Sequence, residues 1–311
     1  MNKGTPINRR HFISSTLGAA ASTGLTGCST LAAGRGYIDA HVHVWTPDTK
    51  RYPVAKTFSE KDLQPPSFTP EELLAEAKPN GVSRIVLIQM SFYKFDNRYM
   101  LDSMKRFPGV FSGVAIVDHE APDVAAKMKS LKAQGVRGFR LYTDREKAEG
   151  WIDSPGMKQM WTTAADENLS MCLLANPDAL PAVRRMCKAY PKTPVVIDHF
   201  ARIGMKGSVN ETDLDHLCGL SDFETVHVKT SAFYALGKKA APYTDLGPMI
   251  RQLRDNYGAN RLMWATDCPY QVGDGHTYAD SIALIRDRLD FLTDSDKDWM
   301  LRGTAEKVFF S

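Results

Sequence analysis

The feature that most constrains this chain is an eightfold alternation of short β-rich runs with longer segments of helical spacing. The strand candidates are residues 37–45, 84–90, 110–118, 135–142, 169–176, 193–200, 225–233 and 261–267. Between them lie patterns such as "TPEELLAEAKPNG", "APDVAAKMKSLKAQG" and "PDALPAVRRMCKAY". These open on helix-start signals (Thr69-Pro70, Pro122-Asp123, Pro177-Asp178), and Gly81 and Gly135 stand where helices should stop. Eight strands alternating with helices admit two solutions, a closed (β/α)₈ TIM barrel or an open doubly wound sheet. No G-x-G-x-x-G follows the first strand, so a dinucleotide-binding open sheet has no support. Hydrophobic residues make up 43% of the chain and no low-complexity linker interrupts it, which favours one α/β barrel domain over 36–311.

In such a barrel, function gathers at the C-terminal ends of the strands. There the chain places His41/His43, Gln89/Ser91, Asp118/His119, Arg140/Tyr142, Asn176, Asp198/His199, Lys229/Ser231 and Asp267. His41 and His43 stand out because they lie inside the apolar run "GYIDAHVHVW". Residues i and i+2 of a strand face the same side, so two imidazoles are aimed at one point.

With these residues in order, the chain resembles the amidohydrolase superfamily, and within it the amidohydrolase-related branch of sugar-acid and pyrone dicarboxylate lactonases. The marks are "DAHVHVW", "VVIDHFAR", "HVKTSAF", "RLMWATDCPY" and the closing "LRGTAEKVF". The resemblance implies a distorted barrel of the metal-dependent-hydrolase type that opens a lactone with water. It departs from the family pattern in three places. The fourth strand ends in Arg140 and Tyr142 rather than a lysine that can be carboxylated, and the fifth strand offers Asn176 in place of a histidine. Where relatives show Lys-Leu-Ser-Gly on the seventh strand, this chain has Lys-Thr-Ser-Ala, residues 229–232. A two-metal centre therefore has no support. No obligatory cofactor is expected, and the alternative is one divalent ion, zinc or manganese, on His41, His43 and Asp267.

The catalytic set expected is Asp267 as general base, suited to neutral pH if burial or a like charge raises its pKa, with His41, His43 and His199 holding the water or the carbonyl. Arg140, Tyr142, Arg202, Lys229, Ser231 and Tyr270 are the candidates for binding substrate, the arginines through a substrate carboxylate. A nucleophilic role for Cys268 lacks a recognisable histidine partner. Two competing functions are a metal-dependent decarboxylase or amide/ester hydrolase on the same barrel, and a ligand-binding lipoprotein without catalysis.

The first residues carry a different message. Arg9-Arg10 before an apolar, Ala- and Gly-rich run, ending in Leu25-Thr26-Gly27-Cys28, resemble a twin-arginine export signal with a lipobox. This predicts a signal peptide over 1–27, a tether over 28–35, and a periplasmic or envelope lipoprotein acylated on Cys28. The formal charge of +3 is accounted for by Lys3, Arg9 and Arg10, with no acid before Cys28. The remaining body is balanced, which gives no electrostatic case for nucleic acid. The expected partner is a small-molecule substrate. Membrane attachment is expected only through Cys28, and a homo-oligomer is compatible with the sequence. Cys172, Cys187, Cys218 and Cys268 form no CxxC pair and are expected mostly as buried, free thiols.

Overall fold

The computed structural model describes residues 36–311. The readings of Arg9, Arg10 and Cys28, with the leader and the tether, lie outside the described residues. Eight parallel strands follow one another around a single sheet in the order β1 to β8. They are β1 Tyr37–Val42, β2 Val82–Ile88, β3 Phe111–Ala115, β4 Val136–Thr143, β5 Ser170–Ala175, β6 Val195–Ile197, β7 Val226–Thr230 and β8 Leu262–Trp264. All eight expected strands are present, most of them stopping short of their predicted C-terminal ends. Those residual segments, residues 198–200 and 265–267 among them, have left the ladder and form the mouth. Helices lie between the strands, and their boundaries follow local chemistry. Thr69 caps Pro70–Ala77 with a full capping box, while Gly81 and Gly135 adopt left-handed φ of 79° and 97°. Among the described residues no helix is long and apolar enough to cross a membrane, and Cys172, Cys187, Cys218 and Cys268 are buried and free.

The barrel interior is filled in layers. Ile38, Ala40, Val86, Ile88, Val114 and Val196 form part of an inner cluster, onto which Ala305 and Phe309 of the C-terminal helix Thr304–Phe309 pack as a floor. On β1 the alternation slips. Ile38 and Ala40 belong to the inner cluster, yet Val42 and Val44 belong to the outer one. The register against β2 shifts between Asp39 and Val42. A bulge of this kind re-aims side chains, and here it brings His41 and His43 to the inner side above the apolar layer.

Closure between β8 and β1 rests on few bonds. The two meet through a single parallel bridge, Val42 with Cys268, and two backbone bonds, Asp267 N–H to His41 O and His43 N–H to Cys268 O, both 2.9 Å. The side chain of Asp39 adds the rest. Its fully buried carboxylate accepts from Thr266 N–H (3.0 Å), Thr266 Oγ1 (2.5 Å), Tyr278 Oη (2.7 Å) and the backbone N–H of His41 (3.1 Å). Burial nevertheless pushes this carboxyl up to about 6, the hydrogen bonds from Thr266 and Tyr278 opposing the shift. Its folded pKa exceeds the ordinary 3.8, so the stability it contributes is full below 3.8 and is lost as pH rises through about 6.

Replacing Asp39 with Ala strands two buried backbone N–H groups at once. Asp39→Ala is expected to cost about 3 kcal/mol, lowering the thermal midpoint by roughly 6–12 °C. Asp39→Asn keeps an acceptor for the two N–H groups and allows both hydroxyls to reverse, so it should lose much less. Thermal melts of the two variants check this, and equal losses would refute the account of closure.

Candidate active site

Above the apolar layer lies a buried polar layer. Lys229, inside the barrel on β7, pairs with fully buried Asp198 at 3.0 Å and contacts His41 Nδ1 at 3.2 Å. Below, its ammonium sits 5.4 Å from the centre of the Phe309 ring. Burial presses the Asp198 carboxyl upward, but Lys229 and His41 outweigh it and hold it well below the usual carboxylate range. Burial, reinforced by Lys229, keeps His41 well below 6.5 and therefore neutral.

The next layer carries the reactive groups. His41 Nε2 and His43 Nε2 lie 3.2 Å apart, and Asp267 Oδ1 is 3.4 Å from the first and 3.2 Å from the second. His43 Nδ1 is 2.9 Å from the carbonyl of Ile88, which can only accept. In neutral His43 the proton is thus on Nδ1 and Nε2 presents a lone pair. His199 contributes from the other side, its Nε2 3.7 Å from Asp267 Oδ1 and its Nδ1 2.8 Å from Ser231 Oγ. With Nε2–H facing the carboxylate, the Ser231 hydroxyl donates to Nδ1. Burial lowers the His199 pKa, so it too is neutral.

The expectation that burial raises the Asp267 pKa is overturned. Burial does press it upward, but His199, the hydrogen bond with His43 and the adjoining His41 favour the ionised form and outweigh that, and the carboxyl is held well below its usual range. Sequence reasoning also missed Tyr234. Its hydroxyl donates to Asp267 Oδ2 at 2.7 Å, and burial and the adjacent carboxylate push the phenol up, so it stays protonated. The signal was faint: a tyrosine three residues past Ser231, in the loop that leaves β7 for the mouth.

His43, His199 and Asp267 open into a cavity of about 1000 Å³ at the C-terminal ends of the strands. Arg140, Tyr142, Arg202 and Tyr270, the candidates for binding substrate, line it. Lys229 and Ser231 do not; both are fully buried beneath it, bonded to Asp198 and His199. Each touches a histidine ring nitrogen, Lys229 Nζ that of His41 and Ser231 Oγ that of His199. His41 also lies below the cavity lining, behind His43. Among the described residues no carboxylate pairs with Arg140 or Arg202. Arg202 Nη1 donates to Asn176 Oδ1 at 3.0 Å, and the charge of Arg140 is felt at His199 and Tyr270. In the strand order β4 stands opposite β8, so Arg140 faces Asp267 across the mouth. Cys268 is buried with its thiol pushed far up by burial, which removes it as a nucleophile.

The donor set also fits one divalent ion. His41, His43 and Asp267 each offer a ligand atom, and their separations of 3.2–3.4 Å equal the edge of a tetrahedron, ~3.3 Å, for bonds of ~2.0–2.1 Å. For His41 to ligate through Nε2, its proton must move to Nδ1, where Asp198 Oδ1 lies 3.4 Å away.

Residues 38–310 match the amidohydrolase family. An L-fucono-1,5-lactonase of Burkholderia ambifaria is 30% identical over 251 residues, covering 77% of this chain and 82% of that protein. A 4-sulfomuconolactone hydrolase of Rhizobium radiobacter is 27% identical over 243 residues, covering 78% of each. A crystal structure of an amidohydrolase from Burkholderia multivorans with bound zinc superposes with a TM-score of 0.70 at 17% identity, over 89% of this chain and 99% of that one. The chain belongs to the amidohydrolase family.

The metal fit has a direct check. Added cobalt(II) is expected to give the visible spectrum of a tetrahedral ion at one per chain, and His43→Ala should abolish it. A spectrum that survives His43→Ala would mean the ion sits elsewhere.

Proposed function

We propose that this chain is a hydrolase that opens an anionic lactone by adding water, with Asp267 as general base. The observation that carries this is an ionised carboxylate flanked by three imidazoles that shares one cavity with two arginines, neither of them paired with a carboxylate among the described residues. Relatives named as lactone hydrolases, at 27–30% identity over most of the chain, support the same reaction.

Asp267 Oδ1 takes a proton from water as the oxygen bonds to the acyl carbon. Tyr234 occupies Oδ2, which fixes the carboxylate plane and leaves Oδ1 as the base. His199 Nε2–H donates to the carbonyl oxygen as charge develops there. Collapse of the tetrahedral intermediate breaks the ring C–O bond, and the proton held by Asp267 passes to the leaving alkoxide. Arg140 and Arg202 hold a carboxylate or sulfonate on the substrate, arginine's fork suiting either.

No resident metal is required in this reading. The Lys229 ammonium against His41 Nδ1 favours the His41 tautomer with its proton on Nε2, which is then not a ligand. When bound to His41, His43 and Asp267, one divalent ion would supply Lewis acidity and a more acidic water.

Asp267→Asn is expected to lower lactone hydrolysis by about three orders of magnitude with the fold intact. Because the Asp267 carboxyl is held low, the base should stay ionised and kcat/KM should persist as pH falls through the ordinary carboxylate range. Tyr234→Phe should move that acid limb upward. Activity should survive removal of metal by chelator. An Asp267→Asn enzyme with undiminished turnover would remove Asp267 as the base, binding of lactones or their hydroxy acids with no hydrolysis by the wild-type chain would leave a binding protein as the better reading, and complete loss to chelator would favour the metal-dependent one.

The leader supports a location in the cell envelope, anchored through an acylated Cys28. Labelled palmitate should be incorporated by the full chain and not by Cys28→Ser, and an unlabelled full chain speaks against the anchor.

A further inference from the structure

The rim of the catalytic cavity is unusually apolar. Among the described residues, Phe95 (52% exposed), Tyr142 (50%), Met205 (39%) and Tyr270 (37%) are four of the six large apolar side chains that remain open to solvent, and all four line this cavity. They arise at the ends of β2, β4, β6 and β8, one from every second strand, so they form a collar around the mouth rather than a patch on one wall. Exposed apolar surface collected in one concave place marks a binding site.

The collar is held in position. Buried Gln89 donates to the carbonyls of Lys94 (3.3 Å) and Asp96 (2.7 Å), and Asn97 donates to that of Phe95 (3.1 Å). The backbone around Phe95 is therefore pinned while its ring stays in water. Lys147 lies 4.9 Å from the centre of the Tyr142 ring, and Arg202 Nη2 contacts Met205 Sδ at 3.2 Å. Beneath the collar, Met90 and Leu174 continue the apolar lining.

The charge and the volume are then at odds with a small, hydroxyl-rich ring. A cavity of about 1000 Å³ sits at the upper end of the range, roughly 300–1,000 Å³, that holds drug-sized ligands. The arginines satisfy one anionic group, while the rings of Phe95, Tyr142 and Tyr270 and the thioether of Met205 offer apolar surface that a ring bearing only hydroxyls leaves uncovered. We propose that the substrate is an amphipathic lactone, its anionic group on Arg140 and Arg202 and an aryl or medium-length alkyl substituent in the collar of Phe95, Tyr142, Met205 and Tyr270. This rests on the reading of the chain as a lactone hydrolase and narrows its substrate class.

The test uses carboxylated five- and six-membered lactones that differ only in carrying hydrogen, phenyl or hexyl. Hydrolysis by the wild-type chain is measured together with calorimetric binding of the corresponding opened hydroxy acids. Both kcat/KM and product affinity should rise at least about tenfold with the apolar substituent. Phe95→Ala should cut that preference several-fold, mainly through KM, and Phe95→Leu should retain most of it. Equal kcat/KM across the series, or a preference that Phe95→Ala leaves unmoved, overturns the proposal. If no lactone opens but the hydroxy acids still bind with the apolar preference, the collar's selectivity stands and the hydrolytic reading falls.

Discussion

Everything at the mouth depends on the carboxylate of Asp39. It belongs to the first strand, but its bonds run to Thr266 at the end of the eighth and to Tyr278 beyond. A parallel barrel must join its first strand to its last, and here the ladder contributes one bridge at that seam. The side-chain acceptor supplies what the backbone does not. Because it also binds the N–H of His41, one residue fixes both the first imidazole and, through Thr266, the neighbouring Asp267. The seam that closes the fold is the seam on which the reactive groups stand.

The two buried layers above the apolar floor divide the electrostatic work. Asp198 and Lys229 neutralise each other in a place where an isolated charge would be very costly. Their pairing leaves no unbalanced charge beneath the imidazoles, burial keeps His41 and His199 below the ordinary imidazole range, and the carboxylate that reaches the cavity floor is that of Asp267. In the role proposed for Asp267, a low pKa makes a weaker base but keeps it ionised. Proton transfer then depends on the position and burial of the carboxylate more than on a match of pKa to solvent.

Most of the barrel was legible because periodicity reports it directly: eight apolar runs, helix-start signals and two glycines at helix ends predicted elements that all exist. The pairing of His41 with His43, and their meeting with His199 and Asp267, followed from spacing and strand-end logic. The bulge in β1 was not legible, since the apolar/polar pattern of residues 37–45 continues unbroken through it. Nor was the depth of Lys229. A lysine at a strand end ordinarily reaches solvent, and here the buried partner just past the end of the neighbouring β6, Asp198, turns it inward. Tyr234 escaped for a related reason, because a loop residue's reach depends on a turn that the strand pattern does not encode. The sign of the Asp267 shift was misjudged by weighing burial without the imidazoles around it.

The seventh-strand departure shows how that turn is made. Ala232 adopts φ 56° and ψ 42°, the left-handed region in which a Cβ costs about 1 kcal/mol or more. The chain keeps the backbone and accepts the strain, and the short turn Phe233–Ala235 that follows delivers Tyr234 to Asp267. The same left-handed geometry recurs at His199 (50°), Arg202 (62°) and Asp267 itself (69°), at the exits of β6 and β8. Strain of this kind persists only where surrounding contacts over-determine it. Here those contacts are the Ser231, Asn176 and Tyr234 hydrogen bonds to His199, Arg202 and Asp267. The backbone is bent against its preference at the places from which side chains must converge, and the polar contacts that aim those side chains also hold the bend.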